Sequence, residues 1–404
     1  MREQQPQWKT VPIKELYEGL YDGPHATPKP SDNGPVFLGI KNVTDDGRLD
    51  LSDIRHIAED DFPAWTRRVE PKPDDIVFTY EATLNRYAII PKNFRGCLGR
   101  RMALIRPNPV KVDTRFLYYS FFSAGWREVI KNNMLSGSTV DRIPLTNFPD
   151  FPITLPTLPA QRRIADILSA YDELIENNLR RIKILEEMAR SLYREWFVLF
   201  RFPGHQKVPL VDSPLGKIPK GWEVRHIKDV ATITYGFPFQ SSKFNTAGRG
   251  IPVIRIRDIL DGSINTFTDE EAEPKYHIKD GDILVGMDGD FHMCIWSSGH
   301  AFQNQRVAKF ASHGEIGNYH LFLALEKPIQ TFNKAIVGTT VAHLGDMHIK
   351  TIQLVWPPAR VLVNARQALE PMSEQIITLK RQTVNLRRTR DLLLPRLLSG
   401  AIKV

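Results

Sequence analysis

The chain has 404 residues, enough for two or three domains with a core in each. Hydrophobic residues make up 42% and charged residues 25%, which excludes disordered and fibrous classes. The net charge of +8 favours a polyanionic partner, but the excess is local: residues 1–155 hold 21 Lys and Arg against 20 acids, 156–205 hold 8 against 7, 206–355 hold 16 against 16, and 356–404 hold 9 against 3. No apolar run approaches the roughly 18 residues of a membrane span. The polar stretch from Met1 to Thr10 lacks a signal-peptide core, so the chain reads as cytoplasmic. Cys97 and Cys294 form no close pair, which argues against a disulfide scaffold or a cysteine-rich zinc site.

Taken in chain order, the elements occur twice. Trp8 with Ile13-Lys14-Glu15-Leu16 matches Trp222 with Ile227-Lys228-Asp229-Val230 at an offset of 214. Gly34 with Ile40-Lys41-Asn42-Val43 matches Gly250 with Ile256-Arg257-Asp258-Ile259 at 216. Asp75-Ile76-Val77 matches Asp282-Ile283-Leu284 at 207, and Arg101-Met102-Ala103 matches Arg306-Val307-Ala308 at 205. Gly137-Ser138-Thr139-Val140 matches Gly338-Thr339-Thr340-Val341 at 201, and Pro159-Ala160 matches Pro358-Ala359 at 199. Six blocks in one order, with a slowly drifting offset, define a duplicated module whose surface loops differ in length.

Each module opens with about 150 residues rich in Pro, Gly and Asp, with short β-branched runs at Val36 to Ile40, Ile76 to Thr79, Val253 to Ile256 and Asp282 to Val285. These predict strands joined by turns in a mixed domain. Each module closes with a long helix, predicted over 159–197 and again over 358–398, with a proline tolerated in the first turn and Gly400 capping the second. Leu168, Ile175, Ile182, Ala189 and Trp196 repeat at heptad spacing in the first helix, with Tyr171, Asn178, Leu185 and Leu192 between them. In the second, Leu369, Ile376, Thr383, Arg390 and Leu397 align with Met372, Leu379, Leu386 and Leu393. This is a coiled-coil seam, and the pairing residues expected are Leu168, Ile175, Ile182, Leu185 and Leu192 against Leu369, Ile376, Leu379, Leu386 and Leu393. Asn178, Thr383 and Arg390 are polar members that fix register or pairing. Pro395 is expected to kink the second helix near Leu394 and weaken the seam beyond it. A helix of 39 residues is about 58 Å long, so an antiparallel pair suits a ruler between two similar domains.

Residues 86–115 hold Arg86, Lys92, Arg95, Arg100, Arg101, Arg106, Lys111 and Arg115 with only Asp113 opposing them. In the second copy Lys243, Arg249, Arg255 and Arg257 occur without an acid between them, and Arg306 and Lys309 follow. Phosphates want Lys and Arg, whereas base edges want Arg, Asn, Gln or Asp in a groove. The loops Tyr80 to Arg86 and Asp288 to His292 each follow a matched strand and mix such groups with aromatics. The candidate DNA-binding residues are therefore Tyr80, Asn85, Arg86, Arg95, Arg100 and Arg101, with Lys243, Arg255, Arg257, Asp290, Phe291 and Arg306 in the second copy. The acid-rich stretches from Asp45 to Asp75 and from Asp269 to Asp282 are expected to face away from phosphates. No phosphate-binding glycine loop, HExxH, adenine-methyltransferase or restriction-nuclease motif occurs, and the histidines, His343 and His348 included, show no ligand spacing. The sequence assigns no catalytic residue and no metal ligand.

Pro159-Ala160-Gln161-Arg162-Arg163-Ile164-Ala165, opening a helix that ends near Glu195-Trp196-Phe197, resembles the central region of Type I restriction–modification specificity subunits. Leu393-Leu394-Pro395-Arg396-Leu397-Leu398-Ser399-Gly400 resembles their C-terminal region, and Asp22-Gly23-Pro24-His25-Ala26-Thr27-Pro28 a segment of their first recognition domain. Arg360 departs from the pattern, standing where the first copy has Gln161. The resemblance implies an α+β chain with two similar mixed α/β DNA-recognition domains separated by two long antiparallel coiled-coil helices, an internal pseudo-two-fold duplication. Its parts would be a first recognition domain (1–155), a central helical spacer (156–205), a second recognition domain (206–355) and a C-terminal helical spacer (356–404). It implies a non-catalytic subunit that reads a bipartite, asymmetric sequence in double-stranded DNA. Its partners would be two adenine methyltransferase subunits, which bring S-adenosylmethionine, and restriction motor–nuclease subunits, which bring ATP and magnesium; the chain itself would bind no cofactor. Two alternatives stay open. A duplicated coiled-coil scaffold for protein partners would show no salt-dependent DNA affinity, and an enzyme with an unrecognised site would turn over DNA or nucleotide by itself.

Overall fold

The computed structural model describes residues 8–136, 140–262, 264–336 and 343–404. The expected match of Gly137, Ser138 and Thr139 with Gly338, Thr339, Thr340 and Val341 lies outside the described residues. By its contacts the chain forms two compact units, one of residues 1–173 with 386–404 and one of residues 174–385.

In the first unit an antiparallel sheet has the spatial order Tyr17–Asp22, Met102–Pro107, Ile76–Thr79, Tyr87–Ile89. In the second the order is Ala231–Tyr235, Val307–Ser312, Ile283–Gly286, Met293–Ile295. The cross-strand register is also the same: Ile76 faces Ile105 as Ile283 faces Phe310, and Val77 faces Leu104 as Leu284 faces Lys309. Every residue of Ile76–Thr79 and Ile283–Gly286 is buried. These inner strands are covered on both faces, which is why they read as short apolar runs without alternation.

A smaller sheet accompanies each large one. In the first unit Ser31–Leu38 lies between Arg55–His56 and Gly96–Leu98, parallel to the latter. In the second, Ile251–Ile254 pairs with Phe267–Thr268 and runs parallel to Ala301–Gln303. The ends of each domain are tied by an antiparallel ribbon, Lys9–Pro12 with Pro152–Leu155 and Glu223–His226 with Gln353–Trp356. The chain therefore enters and leaves each domain at one place, next to the helix that follows.

The central helix, Leu158–Tyr193, continues into a π-helical turn at Arg194–Val198. The C-terminal helix is Ala359–Leu398. In the first unit Ile164, Ala165 and Leu168 share a core with Leu397, and Leu393 packs on it partly buried. Farther along, Asp172 meets Arg390 at 2.5 Å, so the two segments run antiparallel. In the second unit Ile182 and Ala189 share a core with Leu362, Ala365, Leu369, Ile376 and Leu379, and Leu185 and Leu192 pack against it. Ile175 is buried as well, and Leu386 is half-buried. Two polar seam members are answered, Arg390 by Asp172 and Thr383 by donating its hydroxyl to the Leu379 carbonyl at 2.8 Å, and Asn178 is buried. The kink expected at Pro395 does not interrupt the seam, because the helix continues to Leu398 and Leu397 is only 1% exposed.

The two helix starts differ at the matched positions Gln161 and Arg360. Gln161 is buried, accepts from the Asp113 amide at 3.0 Å and donates to the Pro156 carbonyl at 2.9 Å. That brace ties the first helix to its domain, and an arginine at the matched position supplies no such pair.

His320 lies in the second unit's core against the rings of Tyr193, Phe197 and Trp356. It is 3% exposed, its Nδ1 has no hydrogen-bond partner, and burial pushes the imidazole down to about 4. Because the folded-state value lies below the unfolded one, the contribution of neutral His320 is complete above about pH 6.5 and is lost as pH falls towards 4, on the order of 3 kcal/mol in all. Denaturant unfolding followed between pH 7 and 4.5 should show this loss, and His320→Phe should flatten the profile.

Candidate nucleic-acid interface

The same local geometry builds a turn in each copy, between the strand that begins at Ile76 or Ile283 and the one that begins at Met102 or Val307. The Tyr80 amide donates to the Arg101 carbonyl at 3.1 Å, and the Met287 amide to the Arg306 carbonyl at 2.9 Å. The next residue is an acid in both copies, and it forms an ion pair with the arginine side chain. Arg101 Nε meets Glu81 at 2.9 Å, and Arg306 Nε meets Asp288 at 3.4 Å. A third segment closes each turn, with Ile143 donating to the Tyr80 carbonyl and Leu344 to the Met287 carbonyl. Arg142 and His343 bridge the acid's backbone there, and His343 Nδ1 also lies 2.5 Å from Asp288. Arg101 takes a left-handed φ of 70°, a conformation that costs a non-glycine residue of order 1 kcal/mol and that the surrounding bonds hold in place.

Glycines allow the neighbouring segment to come close. A Cβ on Gly23 would sit 2.2 Å from the Gly99 carbonyl oxygen, and one on Gly236 would sit 1.9 Å from that of Asn304. Gly23 is the glycine of the Asp22-Gly23-Pro24 segment, so that motif has a packing reason.

In the second copy four of the six expected residues line one cleft. Arg255, Arg257, Asp290 and Arg306 surround it with Asp288, His292 and Asn304. Arg257 is exposed, and among the described residues no partner is recorded for it. Arg255 is not free to reach out, because Asp258 holds its guanidinium at 2.9 Å. Lys243 lies apart, paired with Glu270 at 3.4 Å. Phe291 is buried in the core, which corrects its expected place on the binding surface.

The first copy departs further from expectation. Tyr80 is 4% exposed within the core, with an unpartnered hydroxyl, and it is corrected in the same way. The residue just after a strand can turn inward or outward, and in both copies it turns inward, as Tyr80 and Met287. Arg86 meets Asp45 at 2.5 Å, and Arg95 is bound by Glu59 and lies over the Phe62 ring at 4.5 Å. Arg100 is exposed; Asn85 has a φ of 62° and a buried, unpartnered Oδ1. The local excess of arginine is thus answered by acids from elsewhere in the chain. Asp45, Glu59 and Asp75 all belong to the stretch expected to face away, and so does Glu270 in the second copy. These acids pair with the basic residues, since opposite charges brought together by folding lower one another's energy.

Arg106 is the extreme case. It forms two bonds of 2.8 Å to Asp75, whose side chain is 2% exposed. Among the described residues no three His, Cys, Asp or Glu side chains gather as metal ligands would, and no helix is long and apolar enough to cross a membrane. Glu81, Asp288, Asn304 and His343 were not among the expected site residues, although Glu81 and Asp288 share the offset of 207 set by Asp75 and Asp282 and lie in the two candidate loops.

Two copies of one scaffold, each presenting an arginine braced by an acid beside groups that differ between copies, define a duplicated binding protein. The model of the Type I restriction modification DNA specificity domain matches residues 7–187 and again 219–385. The chain is 25% identical over 97% of its length to the Type I restriction enzyme MjaIX specificity subunit of Methanocaldococcus jannaschii, covering 89% of that protein. It is 34% identical over 40% of its length to the EcoBI specificity subunit of Escherichia coli, covering 35% of that protein. The crystal structure of a Type I restriction–modification S subunit from M. genitalium shares the fold, with a TM-score of 0.63 over 98% of this chain and 97% of that one at 16% identity. The chain belongs to the Type I restriction–modification DNA specificity family, as a DNA-recognition subunit.

Arg106→Ala would leave Asp75 buried without its partner. Breaking such a pair costs about 3 kcal/mol or more, so the variant should unfold at clearly lower denaturant, whereas Arg257→Ala should leave the midpoint unchanged.

Proposed function

We propose that each recognition domain, 1–155 and 206–355, reads one half of a bipartite, asymmetric DNA sequence. The helical regions, 156–205 and 356–404, set the spacer and dock two adenine methyltransferase subunits carrying S-adenosylmethionine. A motor–nuclease using ATP and magnesium completes the restriction complex. The observation that carries this reading is the divergence of side chains on a common scaffold. At matched positions Lys41 stands against Arg257, Arg86 against His292 and Gly99 against Asn304, while the strands beneath keep one register. Unequal donor and acceptor sets on equal frames are what two different half-sites require. Arg100, Arg101, Arg257, Asp290 and Arg306 are the base- or phosphate-facing residues of this reading. The exposed apolar residues Leu174, Ile184 and Met188 of the central helix offer surface to a protein partner.

Single-molecule sequencing of a methylation-free host that expresses this chain with its neighbouring methyltransferase should reveal a split motif methylated at adenine on both strands, absent without the chain. A soluble complex that adds no methylation would overturn the proposal. Inserting one heptad after Leu185 should change the tolerated spacer or abolish assembly; an unchanged target would remove the helices from the role of ruler.

A further inference from the structure

We propose that Glu81 and Asp288 are paired positioning residues: each fixes the arginine across its turn, Arg101 or Arg306, in the one orientation that discriminates a base, so that each acid governs one half of the target. The inference rests on the proposed half-site reading and deepens it.

Four observations carry it. The ion pair occurs in both copies at matched positions, although the groups around it differ. The acids are tied at both ends: their backbones bridge Arg142 and His343, and the preceding residues bond the arginine's own carbonyl. The carboxylates are only 23% and 27% exposed, whereas the arginines reach 32% and 54%, so each pair has a covered root and an accessible tip. Finally, the Arg306 pair lies in the wall of the cleft that also holds Arg257, Asp290, His292 and Asn304.

Charge explains why an acid is useful there. A guanidinium presents five donors in a flat fork, and a carboxylate close to Nε favours orientations that keep that edge beside the acid and leave the other donors unshared. An unbraced arginine would sample many rotamers, binding phosphate as well as bases. The braced one gives up part of its general attraction for the polyanion and keeps its directional donors. Arg257 has no such brace and stays suited to a phosphate.

The copies supply each other's conservative variant, since one uses Glu and the other Asp. The test is the methylated motif written by the assembled methyltransferase on host DNA. Glu81→Gln should relax discrimination about tenfold or more at one position of one half, leaving the other half intact, and Asp288→Asn should do the same in the opposite half. Glu81→Asp and Asp288→Glu should keep the wild-type motif. Unchanged motifs in the Gln and Asn variants would overturn the inference, as would relaxation of both halves by either one. Loss of all methylation by the Gln or Asn variant, shared by its conservative counterpart, would show the acids to be needed for folding and would also overturn it. A wild-type chain that directs no split motif would instead defeat the half-site reading beneath it.

Discussion

The burial of one apolar seam against another is the constraint on which this architecture depends. Neither long helix is hydrophobic all round, and neither has a domain broad enough to cover its whole seam. Each therefore divides its buried face between two cores. Leu168 belongs with Leu397 in the first, and Ile182 and Ala189 with Leu369, Ile376 and Leu379 in the second. Asp172 and Arg390 add a directional pair within that contact, which a purely apolar seam would lack. A charged seam position thus specifies the alignment of the helices at some cost in stability.

Electrostatics is organised on the same principle of local answer. The basic stretch in residues 86–115 invites a reading as a phosphate-binding face, yet five of its arginines have carboxylate partners. Arg106 is structural, half-buried against the buried Asp75; Arg101 is paired but accessible; Arg100 is exposed. The binding surface is therefore defined less by how many cations the chain carries than by which ones folding leaves pointing outward.

How far the sequence could be read follows from this distinction. The duplication, the strand runs at Ile76 and Ile283 and the heptad seam were legible because each depends on a repeat or a period that survives without coordinates. Individual site residues were less so. Tyr80 and Phe291 turned inward, since loop conformation decides the direction of a side chain next to a strand. Glu81 and Asp288 lay in the candidate loops but were not singled out, because an ion pair across a turn leaves no spacing rule in one copy alone. Comparing the copies residue by residue would have exposed them. The seam expected to weaken beyond Pro395 instead continues, with Leu397 buried in the first unit's core.

Leu397 also has a temporal meaning. A chain made from its N-terminus completes 174–385 before the last helical turns exist, yet the first unit's core includes residues from 386–404. The unit synthesised first is thus the one finished last. Until residues 386–404 have emerged from the ribosome, Ile164, Ala165 and Leu168 lack Leu397, so the first unit packs fully only after the second has been made.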